Sequence, residues 1–216
     1  MKFSLDCRDC PRLAEFLGQV RQEYPDYHAR PVAPFGAARP RLLIVGLAPG
    51  MHGANRSGRP FTGDHAGILL YRTLHRFGFA SAPESMHTGD GLKLIDCRIT
   101  NAVKCLPPQN KPEAREIKQC NRYLKNEVES LGKGAVILAL GGIAHQAMLL
   151  ALAAEKKRFP FRHGARYEFS DGLTLYDSYH CSRYNTQTKR LTESMFNQVF
   201  SDIVQNLSKI RPKPQP

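Results

Sequence analysis

Residues 41–77, RLLIVGLAPGMHGANRSGRPFTGDHAGILLYRTLHRF, decide how the rest of the chain is read. The opening run, Arg41-Leu42-Leu43-Ile44-Val45-Gly46, is short, apolar and stopped by a glycine, the pattern of a strand buried on both faces that opens into a loop. The loop then carries Gly46, Gly50, Gly53, Gly58, Gly63 and Gly67 with two prolines. Helical spacing of Ile68, Leu69, Leu74 and Phe77 follows. Working outward, residues 98–103, 135–140 and 173–179 read as further strands, and residues 113–131, 143–154 and 192–207 as helices. Strands alternating with helices predict an α/β fold, a parallel sheet covered on both faces. In such sheets the site lies outside the carboxyl ends of the strands. That singles out loops 46–65, 104–112, 141–145 and 178–190.

The whole chain, 216 residues with 42% hydrophobic content, is long enough for one domain with a buried core. A single domain over residues 1–207 is expected, followed by a basic, Pro-rich tail over 208–216. No window approaches eighteen uncharged apolar residues, so no membrane association is expected. The first residues, MKFSLDCRDCPRLAEF, are broken by charge too early for a signal peptide. A cytoplasmic location and reduced cysteines follow as expectations. Lys and Arg number 31 against 19 acids, a net charge of +12 that suits a polyanionic partner. The cations are spread along the chain, which favours a folded basic face over a charged tail.

The Gly-rich loop lacks the Gly-Lys-Ser/Thr of a phosphate-binding loop and the three-glycine dinucleotide fingerprint. Its glycines would let backbone approach a ligand closely. Cys7 and Cys10 form one C-x2-C pair, and Cys105 and Cys120 bracket a Pro-rich loop and a helix start. A four-thiolate metal site fits this set, but the spacing matches neither a zinc ribbon nor a ferredoxin and leaves the metal open. Cys97 and Cys181 read as buried, inert thiols. His180 follows the last strand and precedes Ser182-Arg183-Tyr184-Asn185-Thr186-Gln187-Thr188-Lys189-Arg190. Such a run suits contact with a sugar–phosphate backbone. Tyr184 would stack on a base, stand exposed or pack in the core.

Three segments together, GLAPGMHGANRSGRPFTGD, AVKCLPPQNKP with Cys120 beyond it, and YHCSRYNTQTKRLT, resemble the uracil-DNA glycosylases. The closest type is the family five group of bacteria and archaea. The similarity runs in order from Cys7 to about Phe196.

That resemblance implies a three-layer α/β/α sandwich with a short central parallel sheet. It implies a [4Fe–4S] cluster held by Cys7, Cys10, Cys105 and Cys120. It also implies a monofunctional hydrolase that removes uracil, and other deaminated bases such as hypoxanthine, from DNA to begin base excision repair. Related families carry an acidic or amide residue just after the first motif's opening glycine. Leu47 stands there, between Gly46 and Ala48, as in the family five group, whose proposed catalytic carboxylate aligns with Asp64. By the same resemblance Phe61 stacks on the flipped base and Asn110 reads its edge. Gly46, Leu47 and Gly50 border the pocket, with backbone N–H groups of 46–53 assisting. Asp64 faces the cationic sugar or its water, and His180 donates to the departing base. Arg183, Asn185, Gln187 and Lys189 hold the DNA. A monomer is expected, the tail offering contact with a repair or replication partner. From the residues alone, Asp64 is equally a helix N-cap. Two other readings stand beside the enzyme. One is a non-catalytic iron–sulfur nucleic-acid-binding relative. The other is a zinc-stabilised enzyme acting on a small acidic substrate.

Overall fold

The computed structural model describes residues 3–209. Ser208 and Lys209, expected in the tail, close the last helix, and residues 210–216 lie outside the described residues.

In chain order the strands are β1 (Phe35–Gly36), β2 (Leu42–Gly46), β3 (Cys97–Asn101), β4 (Val136–Leu140), β5 (Arg166–Glu168) and β6 (Thr174–Ser178). The helices are α1 (Pro11–Glu23), α2 (Ala54–Ser57), α3 (His65–Arg76), α4 (Ala114–Glu129), α5 (Gly142–Ala151), α6 (Arg183–Gln187) and α7 (Glu193–Lys209). The sheet order is β1-β3-β2-β4-β6-β5. The inner four strands are parallel, and the two short edge strands pair antiparallel. Each expected strand lies at its expected place.

Both faces of the sheet are apolar because the inner strands alternate into two cores. Leu42, Ile44, Ile99, Leu138 and Tyr176 pack on α3 and α7 through Leu70, Leu74, Phe196 and Phe200. Leu43, Val45, Ile137, Ala139 and Leu175 meet α4 and α5 through Leu124, Val128, Ala147 and Met148. The result is the expected three-layer α/β/α sandwich. Helix α1 packs outside these layers, its Leu17 and Val20 against Leu106 and Ala29. Among the described residues no helix is long and apolar enough to cross a membrane.

From β2 the chain passes to β3 on one side and then to β4 on the other. Loops after β2 and β4 therefore leave in opposite directions and open a crevice at the carboxyl ends of the strands. On its far side, fully buried Asp177 of β6 meets His145 of α5 at 2.7 Å, and the other ring nitrogen of His145 meets the Phe159 carbonyl at 2.8 Å. This bridge fixes the segment running from α5 into β5 against β6.

Candidate active site

The parallel register sets Gly46 of β2 beside Asn101 of β3. A Cβ on Gly46 would lie 2.5 Å from Asn101 Oδ1 and 2.8 Å from Phe61 Cζ. Gly46 is thus the position that lets an aromatic ring and an amide meet at the crevice floor. Phe61 is buried in the left-handed region at φ 57°, a conformation the surroundings must enforce. They do so through Tyr71, whose hydroxyl donates to the Pro60 carbonyl at 2.7 Å, and through Gly67, where a Cβ would stand 1.9 Å from the Phe61 carbonyl. The Phe61 ring stacks near His180, centroids 5.8 Å apart and planes 26° apart.

Among the described residues, the buried Asn101 Oδ1 has no hydrogen-bond partner. An orphaned acceptor is costly unless a ligand donor completes it. The resemblance gives the base-reading role to Asn110, and the structure brings a second amide, Asn101, to Gly46 and Phe61. Asn110 is exposed on the turn Pro108–Asn110 with a left-handed backbone, while the amide beside Gly46 and Phe61 belongs to Asn101. The available signal was a polar residue at the carboxyl end of a buried strand, Cys97–Asn101.

Asp64 precedes α3 at its N-cap position, yet its side chain makes no capping bond. It reaches back across the loop, where Oδ2 accepts the Ala54 N–H at 3.1 Å. A Cβ on Gly50 would lie 2.7 Å from its Oδ1 and one on Gly53 only 1.8 Å, so both glycines make room for the carboxylate. Burial raises the Asp64 pKa, partly opposed by the Ala54 N–H and the nearby Arg56 charge. The N-cap alternative therefore does not describe what the carboxylate does.

Burial alone pushes the His180 imidazole down to about 4, so the ring is neutral at neutral pH. Leu47 is half-buried, and its carbonyl accepts the Val103 N–H at 2.9 Å, extending the β2–β3 pairing into the loops. Some loop donors expected to face a ligand are used internally. The N–H groups of Gly53 and Asn55 both go to the Gly50 carbonyl.

Arg183, Gln187 and Lys189 are exposed, as is Tyr184 at 70%, which excludes core packing for that ring. Asn185 departs from the set expected at DNA: its amide donates to the His180 carbonyl at 2.8 Å. On the same helix Thr186 Oγ1 lies 3.2 Å from His65 Nε2, next to Asp64. Helix α6 thus braces both candidate catalytic loops from its inner side.

Cys7, Cys10, Cys105 and Cys120 line one small cavity together with Lys104 and Tyr123. None of the four is paired in a disulfide. The Lys104 N–H donates to Cys120 Sγ at 3.3 Å, and the Tyr123 hydroxyl to Cys7 Sγ at 3.4 Å. Burial, with Cys120 next, pushes the Cys10 thiol up to about 11, and burial raises Cys105 and Cys120 as well. Cys10, Cys105 and Cys120, so enclosed, ionise only against compensating positive charge. Among the described residues no three ligand side chains gather as the ligands of a single ion would. An iron–sulfur cluster spreads its thiolates, one to each iron. The convergent thiols and the N–H and O–H donors aimed at their sulfurs fit such a group. Cys97 and Cys181 are buried, as expected, with burial pushing Cys181 up to about 12.

A family model described as the uracil DNA glycosylase superfamily matches residues 33–204, which hold all six strands, Phe61, Asp64, Asn101 and His180. This chain belongs to the uracil DNA glycosylase superfamily. Among curated relatives, the type-5 uracil-DNA glycosylase of Thermus thermophilus is 47% identical over 201 residues, 91% of each chain. That of Mycobacterium leprae is 43% identical over 204 residues, covering 91% of this chain and 89% of the relative. The archaeal type-5 enzyme of Pyrobaculum aerophilum is 40% identical over 192 residues, 87% and 83% of the two chains. Cys105 and Cys120 lie inside the span matched to the superfamily, and Cys7 and Cys10 lie before it.

Proposed function

We propose that this protein is a uracil-DNA glycosylase, hydrolysing the N-glycosidic bond of uracil and of other deaminated bases in DNA as the first step of base excision repair. The observation that carries the reading is the buried Asn101 carbonyl left without a partner beside the enclosed Phe61 ring. A target stacked inside a duplex is unreachable, so the nucleotide must be extruded first. Phe61 then offers an aromatic face to the flipped base. Asn101 Oδ1 accepts the uracil N3–H, and its amide nitrogen donates to a neighbouring carbonyl. A base with an acceptor at N3 would leave Oδ1 unsatisfied, and such a mismatch discriminates strongly.

The C1′–N1 bond breaks with its electron pair moving onto the base. Neutral His180 donates a hydrogen bond to the oxygen where that charge collects, which needs no proton transfer and no prior protonation. Asp64, ionised, stabilises the positive sugar and orients water toward C1′. The new C1′–O bond forms on that water, whose proton passes to solvent or to the carboxylate. Cys7, Cys10, Cys105 and Cys120 would hold a [4Fe–4S] cluster, whose contribution is to fix α1 and the 102–113 loop beside the site. Arg183, Gln187 and Lys189 supply cations and donors to the DNA backbone, with the protein acting as a monomer in the cytoplasm.

The test is single-turnover release from a labelled duplex carrying one uracil, with abasic sites converted to breaks by hot alkali. Wild type should release the base, and D64N and H180N should do so at least about a hundredfold more slowly. Hypoxanthine is run alongside. Binding without release of either base would leave the non-catalytic reading in place. Iron and sulfide assays on the purified protein, and on C105S, test the cluster separately.

A further inference from the structure

His163 stands outside every segment so far given a function, yet it supports the peptide that delivers His180. Strand β6 ends at Ser178, where its register partner Leu140 also ends β4, so the next N–H finds no strand acceptor. His163 Nδ1 supplies one: the Tyr179 N–H donates to it at 3.2 Å. The imidazole also stacks on the Tyr179 ring, centroids 5.1 Å apart and planes 19° apart. Arg190 sits over the same ring at 4.7 Å. The segment carrying His163 is itself fixed, because the Gly164 N–H donates to the Asp177 carbonyl at 2.9 Å and Phe159 is held by His145. Beyond the Tyr179 N–H, the Tyr179 carbonyl accepts from Ser178 Oγ at 2.9 Å, the His180 carbonyl accepts from Asn185 at 2.8 Å, and the His180 ring stacks near Phe61.

We infer that His163 is a positioning residue for His180, its Nδ1 setting the Tyr179 peptide and hence the direction in which the His180 ring enters the site. The inference rests on the glycosylase reading above. A donor displaced by a fraction of an ångström loses much of its effect on the transition state. The acceptor, not ring packing, is the essential feature, and two substitutions separate them. H163N keeps an acceptor at the same number of bonds from the backbone but no ring. H163F keeps a stacking ring but no acceptor.

The experiment measures single-turnover uracil excision and DNA dissociation constants for wild type, H163N, H163F and H163A, with thermal unfolding to confirm folding. H163F and H163A should excise about tenfold or more slowly with unchanged DNA affinity, and H163N should stay within about threefold of wild type. Equal rates for H163F and wild type would overturn the inference, as would H163N falling as low as H163F, or a loss confined to DNA affinity. Should H163F not fold, the Ala and Asn variants decide by the same criteria. Wild type inactive on uracil would remove the glycosylase reading and this inference with it. An active wild type with unaffected variants removes the inference alone.

Discussion

Asn101 and Asn110 make the same chemical offer, a carbonyl and an amide NH2, and only their surroundings separate them. Asn101 is buried where Gly46 lacks a side chain, and Asn110 stands in solvent on a turn. N101A should therefore slow uracil release by about a hundredfold, and N110A should leave the rate within about threefold. Single-turnover rates on one uracil duplex decide between them. A comparable argument applies to His180. Burial holds its folded pKa at about 4, below the ordinary value of 6.5. The unfolded chain then binds the extra proton more readily, so this residue's contribution is full above about 6.5 and is lost as pH falls toward 4. Stability measured by denaturant titration should rise with pH across that window. In H180N the rise should be shallower, and an unchanged slope would mean the ring is solvated in the native state.

Helices and strands were legible where the pattern is local. The runs at 42–46 and 136–140 are uninterrupted apolar segments, and their burial on both faces follows from that composition. The edge strands β1 and β5, two and three residues long, are too short to show any period. Helix α1 did carry a signal, Pro11 at its first position with Leu13, Leu17 and Val20 on one face, but the charges around it obscured the stripe. At the site, neighbouring glycines and a strand end marked the loops that carry Phe61, Asp64 and His180, while the roles of these residues came from the family resemblance. Asn101 was not, since its meaning comes from register with Gly46, a contact across 55 positions. The loop between β2 and α3 gives this element-level logic a sharp test. Gly67 lies in α3, where alanine ordinarily favours the helix, but a Cβ there would stand 1.9 Å from the Phe61 carbonyl. G67A should lower stability by about 1–3 kcal/mol, the usual cost of overpacking, and slow excision by displacing Phe61. A raised melting temperature would show that the loop yields freely.

At the scale of the molecule the question is whether a net charge of +12 acts as a general field or through one face. The crevice lies at the carboxyl ends of the strands, and Arg183 on α6 is exposed beside it. Lys133, also exposed, precedes β4 and so sits at the opposite end of the sheet. R183A and K133A each remove one positive charge, so a purely global attraction would weaken equally in both. Phosphate contact is different, because each neutralised phosphate releases counterions and steepens the dependence of log Kd on log salt by about 0.9. R183A should therefore reduce that slope by about 1 while K133A leaves it unchanged. The measurement is fluorescence anisotropy with a uracil-containing duplex over a series of salt concentrations. Equal slopes for the two variants would place the DNA elsewhere and detach α6 from binding. Unequal slopes would tie DNA engagement to the helix whose inner residues, Asn185 and Thr186, hold His180 and His65. Backbone contact and catalytic geometry would then share a single element. R183A should on that account lower affinity more than it lowers the single-turnover rate, since the inner hydrogen bonds of α6 do not involve the Arg183 side chain.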